Sequence, residues 1–330
     1  MTEKLRIAVV GAGGWGANHA RVFANRPDCD LVGIAARSIE TAQRRTQVYG
    51  GKPYDDIVQM IEDSQPDLVS VCLPNEEHFE PTLELIRFDV PLLVEKPLVF
   101  DVAQGRQLIA EAAARDLFFA INFNHRYAEP VQRAKAAIDQ GKLGELVFGL
   151  WRFGGEANFG TEPHAGLIET QCHGLDMLEY LVGPIASVAA QMTDRTYPGT
   201  FTTLSVALEF AAGGVGALVG SYDSSYSYPD AQFIEVNGTR GRVLIEDTVR
   251  RLTLNVAGDE TASVWQAGYF NDEARTFTYT FDRHVDAVLA ALQAGAPPPI
   301  HARAGLRALE LAAAIIQSFE AGARVCVAAQ

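Results

Sequence analysis

Ile7-Ala8-Val9-Val10-Gly11-Ala12-Gly13-Gly14-Trp15-Gly16 is the stretch whose pattern sets the fold. Four apolar residues in a row read as a buried strand, and the residues from Ala17 to Ala24 read as the helix that follows. Between them stands a G-x-G-x-x-G run. The first glycine permits a tight turn, and the second lets backbone approach a pyrophosphate. The third lets helix and strand pack closely, while the helix N-terminus attracts the anion. A glycine-rich turn without a ligand shares this pattern, but the strand before it and the helix after it supply the context that a dinucleotide site requires. Gly11, Gly13, Gly14, Trp15 and Gly16 are therefore candidate cofactor contacts.

The alternation continues downstream. Strands are expected at Leu31–Ala35, Leu68–Leu73, Leu92–Val94 and Phe118–Ile121, with helices over Ile39–Tyr49, around Leu83–Arg87 and over Val102–Ala114. Such a pattern belongs to a parallel sheet covered on both faces. Pro74 and Pro97 stand at strand ends, where a missing ladder N–H does no harm. Past residue 123 the texture changes. Leu204, Val206, Leu208 and Phe210 alternate with Thr203, Ser205, Ala207 and Glu209, and Ala212-Gly213-Gly214 and Asn237-Gly238 supply turns between such runs. That pattern predicts an antiparallel sheet with one face covered. Helices are expected near 130–140, 167–182, 283–293 and 303–320. The fold expected is α/β in two domains. Residues 1–122 form a Rossmann dinucleotide-binding domain, and residues 123–330 an α+β substrate-binding and oligomerisation domain with a large, mostly antiparallel open sheet.

A chain of 330 residues exceeds what one hydrophobic core usually holds, in keeping with two domains. Its 27 Lys and Arg against 41 Asp and Glu give a net charge of −14, which argues against a nucleic-acid or anionic-membrane surface. No apolar run approaches a membrane span. The start shows no signal-peptide pattern, and Cys29, Cys72, Cys172 and Cys326 are scattered without a CxxC pair. Reduced thiols in the cytoplasm, and no metal site, are expected.

The end of the second strand bears on the cofactor. About twenty residues past the glycine run, an NAD site places an acid on the ribose 2′-hydroxyl. Here Ala36 stands at that place, followed by Arg37 and Ser38. A guanidinium pairs with a 2′-phosphate that a carboxylate would repel, so NADP is the preferred cofactor, with NAD also possible. Arg44 and Arg45 read as a solvated helix face.

Leu92-Leu93-Val94-Glu95-Lys96-Pro97 puts an acid and a lysine at the carboxyl end of a parallel strand, the edge at which open α/β sheets bind ligands. Leu73-Pro74-Asn75 stops at the same edge. With Gly11/Gly13/Gly16, His78, Asn124-His125-Arg126-Tyr127, the stretch Glu169 to Asp176 and Glu235-Val236-Asn237-Gly238-Thr239-Arg240-Gly241, these residues resemble the glucose–fructose oxidoreductase and inositol dehydrogenase group (Gfo/Idh/MocA) over essentially the whole chain. The resemblance implies hydride transfer between a nicotinamide and a carbinol or carbonyl carbon of a sugar, polyol or cyclic diol. It places Lys96 near nicotinamide and substrate, often with a cis Lys–Pro bond. It adds Leu73, Pro74, Asn75, His78, Glu95, Lys96 and Arg126 to the cofactor contacts.

On a helical wheel His173 lies about 40° from Glu169, Asp176 about −20° and Tyr180 about 20°. Ile168, Cys172, Leu175, Leu178 and Val182 take the opposite sector. Residues 166–182 contain no Lys or Arg, unlike an ordinary solvated face. A histidine beside carboxylates suits proton exchange near neutrality. The resemblance maps His173 to the family's proton-transferring histidine. Glu169 stands where Asp is commoner and Gln171 where glycine is frequent, so Glu169 is a candidate of lower rank. Lys96, His173 and Glu169 are the catalytic candidates, and either Lys96 or His173 takes the proton. Trp151, Arg152, the Gly154–Gly166 loop with Glu156, Asn158 and His164, and Tyr222 to Tyr228 are expected to read the substrate, or to meet another subunit. His78, His125, His284 and His301 have no evident partner. A homodimer or homotetramer through the second sheet is expected. A nucleotide-binding regulator and a C=N or C=C reductase are the competing functions.

Overall fold

In the computed structural model, which describes residues 4–155, 162–225 and 227–328, the apolar runs of the first third are parallel strands. In chain order they and their helices are β1 (Leu5–Val10), α1 (Gly14–Ala24), β2 (Cys29–Ala35), α2 (Ile39–Tyr49), β3 (Lys52–Tyr54), α3 (Ile57–Ser64), β4 (Leu68–Val71), α4 (Phe79–Arg87), β5 (Leu92–Val94), α5 (Val102–Ala113) and β6 (Phe119–Ile121). The sheet order is β3-β2-β1-β4-β5-β6. Ile7, Ala8, Val9, Leu68, Val69, Leu92 and Leu93 are fully buried, which is why these strands read as unbroken apolar runs. Side-chain caps start three of the helices: Ser38, Asp56 and Asp101 accept from the backbone N–H groups of Thr41, Gln59 and Gln104.

The remaining elements are α6 (Glu129–Asp139), β7 (Leu146–Gly154), α7 (Cys172–Leu181), β8 (Ile185–Thr193), β9 (Thr203–Phe210), β10 (Val215–Ser221), β11 (Gln232–Gly238), β12 (Gly241–Glu246), β13 (Arg251–Val256), β14 (Ala262–Gln266), α8 (Asp272–Arg275), α9 (Phe277–Gln293), α10 (Arg303–Ala321) and β15 (Val325–Cys326). Their nine-stranded sheet has the order β14-β13-β12-β11-β7-β10-β9-β8-β15. Every neighbouring pair is antiparallel except β7 with β10. One face is packed: Trp151, Leu218, Ile234, Ile245 and Val206 bury against Leu175, Leu178, Leu311 and Ile315. The alternate residues Phe148, Arg152, Val215 and Val264 lie on the other face, each exposed by more than a third.

The chain divides into two compact units, and the division differs from the expected one. The first unit contains the chain up to Asn122 together with Val285–Leu306; the second contains Phe123–His284 and the chain from Arg307 on. The reason is hydrogen bonding far along the sequence. Ile121 N–H donates to the Ile300 carbonyl at 3.0 Å and Ala302 N–H to the Phe119 carbonyl at 2.8 Å, so the segment Ile300–Ala302 extends the edge at β6. Two further differences are local. β3 and α3 are absent from the sequence expectation: the three residues of β3, which include Pro53, carry no periodic signal, whereas α3 has its cap at Asp56 and apolar residues at Ile57, Met60 and Ile61. The helix expected over 167–182 is broken in two: a π-turn occupies Gly166–Thr170 and α7 begins at Cys172. Among the described residues no helix is long and apolar enough to cross a membrane.

Candidate active site

The carboxyl ends of β1, β4 and β5 lie side by side at one sheet edge, because these three strands are adjacent and parallel. From β1 the chain proceeds to β2 and β3 on one side, and from β4 to β5 and β6 on the other. The crevice between β1 and β4 is therefore the switch point at which open α/β sheets take ligands.

The four glycines of the loop divide by environment. Gly11 has a φ of +110°, and a Cβ there would lie 2.1 Å from the Cys72 carbonyl oxygen. A Cβ on Gly16 would lie 2.1 Å from the Gly11 carbonyl oxygen. Both are fixed by packing. A Cβ on Gly13 or Gly14 would meet nothing within 4 Å, so the outer side of the loop is open. There α1 starts with no side-chain cap and no acid in its first turn. An uncapped helix start with open glycine backbone before it fits a pyrophosphate. Arg45, read from sequence as solvated, instead reaches back to the loop. Its Nε donates to the Ala12 carbonyl at 2.9 Å and its Nη2 to the Gly13 carbonyl at 3.4 Å.

At the end of β2, Arg37 is exposed and forms an ion pair with Glu77 at 2.5 Å. Ser38 has a structural task as the cap of α2, its Oγ accepting from Thr41 N–H at 3.4 Å. His78 is buried, with Nδ1 2.8 Å from the Pro97 carbonyl and Nε2 3.0 Å from the Leu73 carbonyl. It ties the Leu73-Pro74-Asn75 segment to the segment after Lys96, and both ring nitrogens face protein. The Lys96–Pro97 bond is cis.

Behind Lys96 lies a buried polar group that no sequence motif announced. Glu95 Oε1 accepts from Asn122 Nδ2 at 2.6 Å and lies 2.9 Å from His19 Nε2, while Glu95 Oε2 accepts from Lys96 N–H at 3.2 Å. His19 Nδ1 lies 2.6 Å from Ser70 Oγ. Burial alone would push the His19 imidazole down, but Cys72 and Glu95 beside it outweigh burial and raise it to about 10. Burial would likewise push the Glu95 carboxyl up, and His19, Lys96 and Asn122 hold it below the usual carboxylate range. His19 sits three residues past Gly16 on the packed side of α1, so the pair links the glycine-loop helix to the backbone of Lys96.

In the second unit α7 is not the solvated ridge its wheel allows. Residues 171–178 are all buried. Asp176 takes two hydrogen bonds from Arg126, at 2.8 and 2.5 Å, and the guanidinium lies 4.7 Å from the centre of the Tyr180 ring. Burial raises the Asp176 carboxyl above its usual range although Arg126 opposes the rise. Arg126, expected among cofactor contacts, is thus engaged by Asp176 within this unit. The His173 ring stacks on His125 at 3.9 Å and 15° and meets the edge of Phe123 at 5.8 Å. His125 also takes a hydrogen bond from Gln232 Nε2 at its Nδ1, 3.2 Å away. Glu169 sits on the π-turn two residues before Gln171 and four before His173, so both candidate groups of this unit share one short segment.

Trp151 and Arg152 separate. Pleating sends Trp151 to the packed face, fully buried, where its Nε1 donates to Gln171 Oε1 at 2.9 Å. Arg152 points to the opposite face and donates to the Asp230 carbonyl at 2.8 Å. The two do not gather at one place, as their joint selection from sequence had it. Tyr222 is buried and donates to the Gly166 carbonyl at 2.7 Å, whereas Tyr228 is exposed. His164 stacks on Phe201 at 5.1 Å. Glu156 and Asn158 lie outside the described residues. The histidines without an evident sequence partner have structural ones: His284 stacks on Tyr127 at 4.8 Å, and His301 Nδ1 accepts from Arg303 N–H at 3.0 Å.

Two family descriptions match this arrangement. An "oxidoreductase family, NAD-binding Rossmann fold" covers residues 5–123, and the matching "C-terminal alpha/beta domain" covers residues 135–327. The chain belongs to the Gfo/Idh/MocA oxidoreductase family. Among its relatives, D-glucoside 3-dehydrogenase of Escherichia coli (strain K12) is 27% identical over 98% of this chain and 98% of its own. Inositol 2-dehydrogenase of Rhizobium meliloti (strain 1021) is 25% identical over 98% of this chain and 99% of its own. Levoglucosan dehydrogenase in complex with NADH superposes with a TM-score of 0.90 at 18% identity, covering 99% of this chain and all of its own. This Gfo/Idh/MocA protein is accordingly an oxidoreductase with a nicotinamide-dinucleotide-binding domain, in a family whose named relatives include dehydrogenases of sugars and inositol.

Proposed function

We propose that the protein is an NADP(H)-preferring dehydrogenase that interconverts a carbinol and a carbonyl carbon on a carbohydrate-like substrate such as a sugar, polyol or cyclic diol. One observation carries the reading: a single sheet edge brings together the open side of the Gly13–Gly14 turn, the Leu73–Asn75 segment and the Glu95–Lys96 strand end. Bound there, the dinucleotide supplies the nicotinamide carbon that accepts or returns a hydride. The chain's own residues manage the rest. Gly11 to Gly16 hold the pyrophosphate. Lys96 or His173 takes the proton of the substrate hydroxyl in oxidation and returns it in reduction, and Glu169 accepts a hydrogen bond from a further hydroxyl. His78 and Glu95 act as positioning residues on either side of Lys96.

Preference for NADP(H) rests on Ala36, which presents no carboxylate to a 2′-phosphate, and on Arg37, which must exchange Glu77 for that phosphate. Assembly as a homodimer or homotetramer uses the uncovered sheet face, where Phe148, Val215 and Val264 are exposed. The four cysteines are thiols, as a cytoplasmic protein keeps them. The test is kinetic. Lys96→Ala and His173→Ala should each lower kcat on a responsive polyol by about 100-fold or more, with NADP⁺ affinity within a few-fold of the parent. A variant with near-parental kcat removes that residue from the mechanism.

A further inference from the structure

Three side chains from three elements meet beneath the segment that carries Glu169 and His173. Gln171 is fully buried. Its Oε1 accepts from Trp151 Nε1 at 2.9 Å, and its Nε2 donates to Tyr222 Oη at 3.0 Å and to the Phe153 carbonyl at 3.4 Å. The Tyr222 hydroxyl donates in turn to the Gly166 carbonyl at 2.7 Å. That same carbonyl accepts the backbone N–H of Gln171 at 3.1 Å, the i to i+5 bond that makes the turn a π-turn. The chain of bonds therefore closes on itself and anchors the turn to β7 and to the end of β10.

Three glycines make room for these three side chains. A Cβ on Gly166 would lie 2.5 Å from the Tyr222 ring, one on Gly174 would lie 2.4 Å from Trp151 Nε1, and one on Gly220 would lie 2.6 Å from Gln171 Nε2. Each partner of the network occupies a notch that any other residue would fill. An isolated π-turn has poorer bonding than a continuous α-helix, so a buried, fully bonded clamp is a physical reason for this one to persist.

We infer that Gln171, held by Trp151 and Tyr222, is a positioning residue for catalysis: the clamp keeps the segment in its π form and thereby fixes the direction of Glu169 relative to His173. The extra residue in a π-turn reduces the rotation per residue, which moves Glu169 off the bearing a continuous helix would give it. This rests on the proposed roles of Glu169 and His173.

The test compares Tyr222→Phe, His173→Ala and the double variant on the intact protein, with a polyol substrate and NADP⁺. Tyr222→Phe should lower kcat by about tenfold to 100-fold, since small misplacements of reacting groups have effects of that order. NADP⁺ affinity should stay within twofold. If the clamp acts through His173, the double variant is no slower than His173→Ala. Parental kcat in Tyr222→Phe, or losses that multiply in the double variant, would overturn the inference. Where Tyr222→Phe does not fold, Gln171→Glu serves the same comparison, because it keeps the acceptor for Trp151 and loses the donor to Tyr222. Full activity of His173→Ala alone would instead remove His173 from the proposed mechanism, whatever the effect of Tyr222→Phe.

Discussion

Replacing His19 by alanine strips the cation from a buried pair and leaves its carboxylate behind. Glu95 would keep Asn122 at 2.6 Å and Lys96 N–H at 3.2 Å but lose His19 at 2.9 Å. Breaking a buried ion pair from one side costs about 3–5 kcal/mol, because the remaining charge is uncompensated. Seen from the imidazole, Cys72 and Glu95 together raise it from 6.5 to about 10, so the Glu95 contact supplies part of that rise. The lowered Glu95 is the other side of the same attraction, so the two are not added. In a unit of this size the loss should appear as a fall in Tm of about 10 °C or more.

The pH dependence has a defined sign. His19 is raised on folding, so its contribution is complete below about 6.5 and vanishes as pH climbs through about 10. Glu95 is lowered, so its contribution is complete above 4.5 and vanishes as pH falls below that. The parent is therefore best served by the pair between these limits. In His19→Ala the buried carboxyl favours its protonated form, and stability should instead improve as pH falls from neutrality. Adding Glu95→Gln should recover part of the loss by removing the buried charge, with its single amide oxygen accepting from either Asn122 or Lys96 N–H where two carboxylate oxygens served both. Scanning calorimetry of the three proteins at acid, neutral and alkaline pH measures all of this. A loss under about 1 kcal/mol, or an unchanged pH dependence, would refute the pairing.

Gly13→Ala should leave Tm close to the parent and weaken dinucleotide binding by tenfold or more, whereas Gly11→Ala should destabilise the fold, because its Cβ meets the Cys72 carbonyl at 2.1 Å; calorimetry and fluorescence titration with NADPH separate the two. Arg126→Ala should cost about 3–5 kcal/mol, because it leaves Asp176 buried and unpaired, while Arg126→Ala with Asp176→Asn should be milder, as thermal melts would show. Arg37→Asp should move the NADP⁺ to NAD⁺ affinity ratio toward NAD⁺ by tenfold or more, and Glu77→Gln should move it the other way. Equal ratios in all three proteins would remove Arg37 from cofactor choice.

Much of the frame was legible in the residues. The glycine run after Ile7–Val10, the prolines at strand ends and the alternation from Thr203 to Phe210 each carry a local signal, and each corresponds to an observed element. What was hidden depends on partners far along the chain. His19 meets Glu95 across 76 positions, and Ala302 meets Phe119 across a still longer span, so neither the buried pair nor the return of Val285–Leu306 to the first unit has a local signature. Trp151 and Arg152 looked alike as neighbours, yet one residue of pleat puts them on opposite faces. The wheel for α7 correctly found an apolar side, but it could not reveal that Arg126 would cover the polar one. Gln171 looked like an oddity where glycine is frequent. Its meaning emerges only with Gly220 opposite, which leaves the space it fills.

The most direct measurement is absorbance of reduced nicotinamide in mixtures of the protein, NADP⁺ or NAD⁺ and a panel of neutral sugars, cyclitols and cyclic diols. Substrate-dependent formation of NADPH, abolished in His173→Ala while that variant still binds NADP⁺, is the expected result. Tight nucleotide binding with no turnover of any neutral polyol by the parent protein would contradict it.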